Sequence, residues 1–114
     1  MNWYKKADID ITDIYLNIVT IIKNQAIEYG LIFNNGDFIS PSSNKIRLFV
    51  SDPEERYRYV INIRVLKGGV DIILFSLNSV GNLFTKEYQH HDFYKIIDES
   101  LSIIVKNINS IKGV

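Results

Sequence analysis

Tyr57-Arg58-Tyr59-Val60-Ile61-Asn62-Ile63-Arg64-Val65-Leu66-Lys67-Gly68-Gly69-Val70-Asp71-Ile72-Ile73-Leu74-Phe75-Ser76-Leu77-Asn78 is the stretch that decides the fold. On both sides of Gly68-Gly69, apolar residues recur at alternate positions, the period of a strand with one buried face. Tyr59, Ile61, Ile63 and Val65 interleave with Arg58, Val60, Asn62 and Arg64. The glycine pair between the runs is a tight-turn signal. The segment therefore predicts an antiparallel hairpin of strands 57–66 and 70–78.

Working outward, Lys45–Ser51 alternates in the same way and predicts a third strand, joined to the hairpin through Asp52-Pro53-Glu54-Glu55. On the other side, Asn78-Ser79-Val80-Gly81-Asn82 turns the chain into a shorter strand from Leu83 to about Tyr88. Further upstream, Asn35-Gly36 sits between short apolar runs and predicts a small hairpin over 31–39. The Ser40-Pro41-Ser42-Ser43-Asn44 segment after it reads as a loop.

Helical spacing bounds this region on both sides. From about Thr12 to Tyr29 the polar residues Asp13, Asn17, Thr20, Asn24 and Glu28 form one narrow stripe. The remaining arc is aliphatic and predicts deep burial. Asp10 or Thr12 is the candidate cap, and Gly30 suits a left-handed stop. A second helix runs from an Asp92 cap to about Ile111, with Phe93, Ile97, Leu101, Ile104, Ile108 and Ile111 as its core stripe. Lys106 and Lys112 lie toward its negative end. The fold class read from this order is α+β: an antiparallel β-meander of four or more strands flanked by N- and C-terminal α-helices that share one face.

Composition limits what such a domain does. A chain of 114 residues predicts a single domain, and its 46% apolar and 23% charged content is that of a globular protein. Acids and bases balance at 13 each, so no net field draws the whole chain to a polyanion. The chain has no cysteine, which removes disulfides, thiolate metal sites and a thiol nucleophile. The most apolar window, Ile14 to Ile27, is broken by Asn17, Thr20, Lys23, Asn24 and Gln25, which argues against a membrane span. The basic start Lys5-Lys6 meets Asp8 and Asp10 and not an apolar run, so a cytoplasmic location is expected.

Catalytic and metal signatures are weak. Gln89-His90-His91-Asp92 holds both histidines, but adjacent residues seldom point at one ion and there is no third histidine. A polar helix start with Asp92 as cap explains the segment better. Asp52-Pro53-Glu54-Glu55 reads as a solvated turn with local ion pairs. Asp8, Asp10 and Asp13 lack the glycine and terminal glutamate of a calcium loop. Gly68-Gly69 precedes a strand and so is no phosphate loop. Trp3-Tyr4 reads as an anchor of the N-terminal segment. The expectation is a protein without catalytic residues, metal or cofactor.

What remains is the pairing of the two sheet faces. If Lys67 faces Val70 across the glycine turn, then Val65 faces Ile72 and Ile63 faces Leu74; if Ser51 faces Arg56, then Ile46, Leu48 and Val50 join that aliphatic side. The other side collects Lys45, Arg47, Phe49, Arg58, Val60, Asn62, Arg64, Ile73, Phe75 and Leu77. A tight Val80-Gly81 turn adds Phe84, Lys86 and Tyr88, leaving Asp71 as the one carboxylate. Arginine with aromatic side chains is the composition that carries binding energy at protein interfaces. The partner-binding residues expected from this register are Arg47, Phe49, Arg58, Arg64, Phe75, Phe84, Lys86 and Tyr88. The expected function is a non-enzymatic protein-binding module, such as an immunity protein covering the active site of a toxin or effector. The alternatives are a nucleic-acid-binding domain using the same face and a secretion chaperone. If instead one helix covered each face, these apolar residues would form a second core.

Overall fold

The structure is a computed structural model that describes residues 11–38 and 44–113. Trp3-Tyr4, the Asp8 and Asp10 carboxylates and the Pro41 loop lie outside the described residues. The elements run α1 (Ile11–Glu28), β1 (Ile32–Phe38), β2 (Lys45–Ser51), β3 (Arg58–Leu66), β4 (Gly69–Ser76), β5 (Asn82–Tyr88) and α2 (Phe93–Lys112). The five strands form one antiparallel sheet in the order β1-β2-β3-β4-β5, a meander flanked by helices. The α+β reading holds.

Both helices cover the same face of the sheet. Ile14, Ile18, Ile22 and Ala26 of α1 and Phe93, Ile96, Ile97, Leu101, Ile104 and Ile108 of α2 share one core with Ile46, Leu48, Val50, Tyr59, Ile61, Ile63, Val65, Val70, Ile72 and Leu74. Polar groups pin the layers together at their edges. The Tyr59 hydroxyl donates to Asn107 Oδ1 at 2.6 Å, and the Tyr29 hydroxyl donates to Asp98 at 2.6 Å. Bonding to Asp98, followed by burial, pushes the Tyr29 phenol up to about 12. On the other face Ile73 and Leu77 stay 40% and 54% exposed. A helix over each face is thereby ruled out for the described residues.

Helix ends follow local chemistry. Asp92 accepts from the Lys95 amide at 3.1 Å and starts α2, while Gly113 at φ 75 closes it in the left-handed conformation. Gly30, at φ 70, stops α1. The broad apolar arc of α1 is buried only in part, because Leu16 and Ile27 are 55% and 76% exposed. Ile111 likewise lies outside the core at 53% exposure. Conversely, Gln25 is buried in α1 and neither end of its amide finds a protein partner, an arrangement that costs stability.

The Asn35-Gly36 hairpin does not form. Both residues lie inside β1, facing Phe49 and Leu48 of β2, and the irregularity between Phe33 and Asn35 is a bulge. Space is tight around Gly36, and the residue makes no turn. A Cβ on Gly36 would stand 3.1 Å from Leu48 Cδ2 and 3.2 Å from the Tyr15 hydroxyl. That hydroxyl donates to the Gly36 carbonyl and ties α1 to the edge strand.

Candidate partner-binding face

The uncovered side of the sheet is built from cross-strand rows, the unit by which antiparallel strands place side chains together. Ser51 faces Arg58, and the Leu77 amide donates to the Arg58 carbonyl, which sets Leu77 beside Arg58. The next row is Asn35–Phe49–Val60–Phe75–Asn82. Then come Arg47–Asn62–Ile73–Thr85, followed by Lys45–Arg64–Asp71–Glu87. Val60, flanked by Phe49 and Phe75, is only 2% exposed although no described helix lies over it. The phenylalanines thus make a small apolar ridge across the middle of a face that mixes charged, polar and apolar side chains.

Five of the expected contact residues, Arg47, Phe49, Arg58, Arg64 and Phe75, share this face. Phe84, Lys86 and Tyr88 do not. Phe84 faces Leu74, Lys86 faces Ile72 and Tyr88 faces Val70, all on the helix-covered side. The tight Val80-Gly81 turn expected from sequence is replaced by a longer connection. Asn78 explains why: its side chain accepts from the Arg58 amide at 2.9 Å and donates to the Arg56 carbonyl at 3.0 Å. These bonds hold the end of β4 against β3, and a bulge at Leu74/Phe75 completes the change in register.

The altered register rewrites the charge of the face. It removes Lys86 and brings Thr85 and Glu87, so Asp71 is not the single carboxylate there. Arg64 is neutralised within the face, its Nε donating to Asp71 Oδ2 at 3.1 Å and its NH2 also bound to Asp71. In the adjoining loop Arg56 pairs with Glu54 at 2.8 Å. Arg58 differs from both. Its Nε donates to the Glu55 carbonyl at 3.2 Å, and among the described residues no carboxylate pairs with its guanidinium.

Two depressions flank the phenylalanine ridge. One of about 400 Å³ is walled by Asn34, Phe49, Glu55, Arg58 and Leu77. The other, of about 360 Å³, is lined by Lys45, Arg47, Asn62, Arg64 and Ile73. Asn62 is among the lining residues, and its Oδ1 is buried with no hydrogen-bond donor among the described residues. The strand period sets Asn62 on the face but carries no sign of its orphaned oxygen, which depends on what the neighbouring strands fail to supply. Glu55 was equally hidden: it adopts φ 56, a left-handed conformation unfavourable for a residue with a side chain. The loop holds it there through Asp52, which accepts from the Tyr57 amide at 2.8 Å and whose carbonyl accepts from the Glu55 amide at 3.0 Å.

On the covered side, the residues displaced from the face form a structural cluster. The Tyr88 hydroxyl donates to Glu99 Oε2 at 2.6 Å, and Lys86 Nζ lies 3.2 Å from the same oxygen. The Tyr88 bond, helped by Lys86 against the opposing effect of burial, holds the Glu99 carboxyl below its usual range. A carboxyl depressed on folding stabilises the fold above its unfolded value of about 4.3, and that contribution disappears as pH falls through the depressed value. Urea midpoints measured from about pH 5 to 3 should therefore fall more steeply for the native chain than for Glu99→Gln. Equal slopes would remove this role of the cluster.

Among the described residues no group of histidine and carboxylate side chains could hold a metal ion. His91 packs against Phe93 with ring centroids 5.6 Å apart. No described helix is long and apolar enough to cross a membrane. No family model matches the chain, and no curated protein or solved structure matches it. The chemistry of the face therefore carries the functional reading.

Proposed function

We propose that this chain is a non-enzymatic protein-binding module, a small cytoplasmic inhibitor of the immunity-protein type that covers the active site of a bacterial toxin or effector. One observation carries the reading: the helices occupy one face of the sheet and leave the other open, with Phe49 and Phe75 at its centre and Arg47 and Arg58 around them. Aromatic residues and arginine bury large areas while retaining directional hydrogen bonds, which is why they dominate interface energetics. A sheet framed by a rigid core also presents such residues with little ordering cost on association. Fold alone would not license this inference, since similar architectures host unrelated activities.

The nucleic-acid alternative gains nothing from the face as built. Asp71 and Glu87 stand on it, and Arg64 is occupied by Asp71. A phosphate-tracking surface would be weakened by both.

The reading is tested by affinity capture from the native cell extract with quantitative mass spectrometry. A face variant carrying Arg47→Glu, Ile73→Ser and Phe75→Ala is compared with a helix-side variant carrying Lys23→Glu and Lys95→Glu. The face variant should retain its partner at least about tenfold less well, the loss expected when hot-spot residues are removed, while the helix-side variant behaves as the native chain. Equal retention by both would rule out the open face as the contact surface.

A further inference from the structure

We propose that the open face holds an extended acidic segment of the protein partner, laid along β3 with a side-chain carboxylate on Arg58 and a backbone amide donating to Asn62 Oδ1. This rests on the sheet-face reading above and specifies the chemistry of what docks there.

Two independent gaps in the face point to this occupant. The first is a positive charge that no carboxylate of the described residues pairs with. Arg64 and Arg56 are each closed by a carboxylate of their own chain, whereas Arg58 is bound through Nε to a backbone carbonyl, which leaves its remaining N–H groups for a ligand. A guanidinium presented in this way matches a carboxylate in geometry and charge. Its surroundings suit a carboxylate carried by a protein segment, because Phe49 and Leu77 supply apolar walls for the flanking side chains.

The second gap is an acceptor without a donor. Asn62 lines the neighbouring depression and its Oδ1 is buried beneath it with no hydrogen bond, an unfavourable state that a turn of the side chain toward an incoming N–H would relieve. Arg58 and Asn62 are on the same side of β3, separated by about 13 Å at the rise of a strand. An extended segment reaches from one to the other in about four residues. A compact anion satisfies only the first gap, and a neutral amide only the second.

The Arg58 end is preorganised. Asn78 fixes the Arg58 and Arg56 backbone, and the Asp52 turn fixes Glu55, whose carbonyl in turn orients the guanidinium. Holding Glu55 at φ 56 costs backbone energy that the surrounding bonds must offset, the arrangement found where a geometry serves binding. The Glu55 carboxylate also borders the depression but makes no ion pair with Arg58. It opposes an acidic ligand and so sets a threshold on affinity.

The test uses the full chain, labelled with nitrogen-15, and two terminally blocked peptides long enough to span both gaps: glycine–valine–phenylalanine–aspartate–valine–glycine–valine–glycine and its asparagine counterpart. The aspartate peptide should produce saturable shifts at Phe49, Arg58, Asn62 and Leu77, and the asparagine peptide should bind at least about tenfold more weakly, the loss of one charge-assisted contact. Arg58→Gln should abolish that discrimination. Asn62→Ala should weaken both peptides alike, and Glu55→Gln should tighten the aspartate peptide. Equal binding of the two peptides, shifts confined to the helix side, or no saturable shift at millimolar peptide overturns the proposal. If partner capture is lost in the Phe75 face variant while the peptides bind equally, the acidic segment is wrong and the open-face reading stands. If capture is unaffected by the face variant, the open-face reading itself fails.

Discussion

Replacing Tyr59 by alanine is expected to destabilise the protein by about 4 kcal/mol, a large share of the total for a domain this size. Tyr59 is the largest fully buried side chain, at 0% exposure, and it lies beneath α2 on the central strand. Removing it opens a cavity between sheet and helix that neither rigid layer can collapse to fill. Tyr59→Phe separates the ring from its hydroxyl. That change keeps the packing but leaves Asn107 Oδ1 without its donor, for an expected loss of about 1 kcal/mol. Burial, with Asp52 adding to it, pushes the Tyr59 phenol up to about 12. A phenol raised on folding stabilises fully below its unfolded value of about 10, and its contribution is lost as pH rises through the folded value. The phenylalanine variant should therefore lose less stability across that alkaline range. Urea unfolding at several pH values measures all three effects, and a loss below about 1 kcal/mol for the alanine variant would contradict this packing.

The second large effect concerns Gly69. It begins β4 and faces Leu66 across a tight connection. A Cβ there would lie 1.9 Å from the Tyr88 carbonyl oxygen, so backbone and not a flexible side chain stands in the way. Gly69→Ala forces β4 and β5 apart where Val70 meets Tyr88, and the expected cost is about 3 kcal/mol. Gly68 is the control beside it. A Cβ on Gly68 meets nothing within 4 Å, so Gly68→Ala should change stability by no more than about 0.5 kcal/mol. Amide exchange should report the Gly69→Ala opening first at the Tyr88 end of β5. Equal stability of the two variants would show that the β4–β5 junction tolerates separation.

These two positions also show what alternation along a strand reveals and what it hides. A two-residue glycine turn sets Lys67 opposite Val70, whereas Leu66 faces Gly69 and Val65 faces Val70. A tight Asp52–Glu55 loop likewise sets Ser51 opposite Arg56, whereas Ser51 faces Arg58. Each displacement is by two residues, a full strand period, so every side chain kept its expected face. At β5 the displacement was by three, which is odd, and Phe84, Lys86 and Tyr88 crossed to the covered side. Nothing in residues 77–82 alone announces this outcome. It follows from Asn78 bonding across to β3, a contact between segments distant along the chain.

The Asn35-Gly36 error has a similar origin. The pair is a turn signal when the local chain is free to choose, but Tyr15 of a distant helix occupies the space above Gly36. Within the candidate site, the residue types at Arg47, Phe49, Arg58, Arg64 and Phe75 were legible from period and composition. Their inequality was not, because it depends on which arginine finds a carboxylate in three dimensions. Arg64 does and Arg58 does not.

Placing both helices on one side of the meander has an evolutionary consequence. The core and the open face are written on alternate letters of the same three strands: Ile46, Leu48, Ile61, Ile63, Ile72 and Leu74 on one set, Arg47, Arg58, Asn62 and Ile73 on the other. Under the contact-surface role proposed above, substitutions in the second set change what the face binds while the core side chains stay in place. Val60 is the exception, locked between Phe49 and Phe75 at 2% exposure. It marks the point about which such a surface can drift.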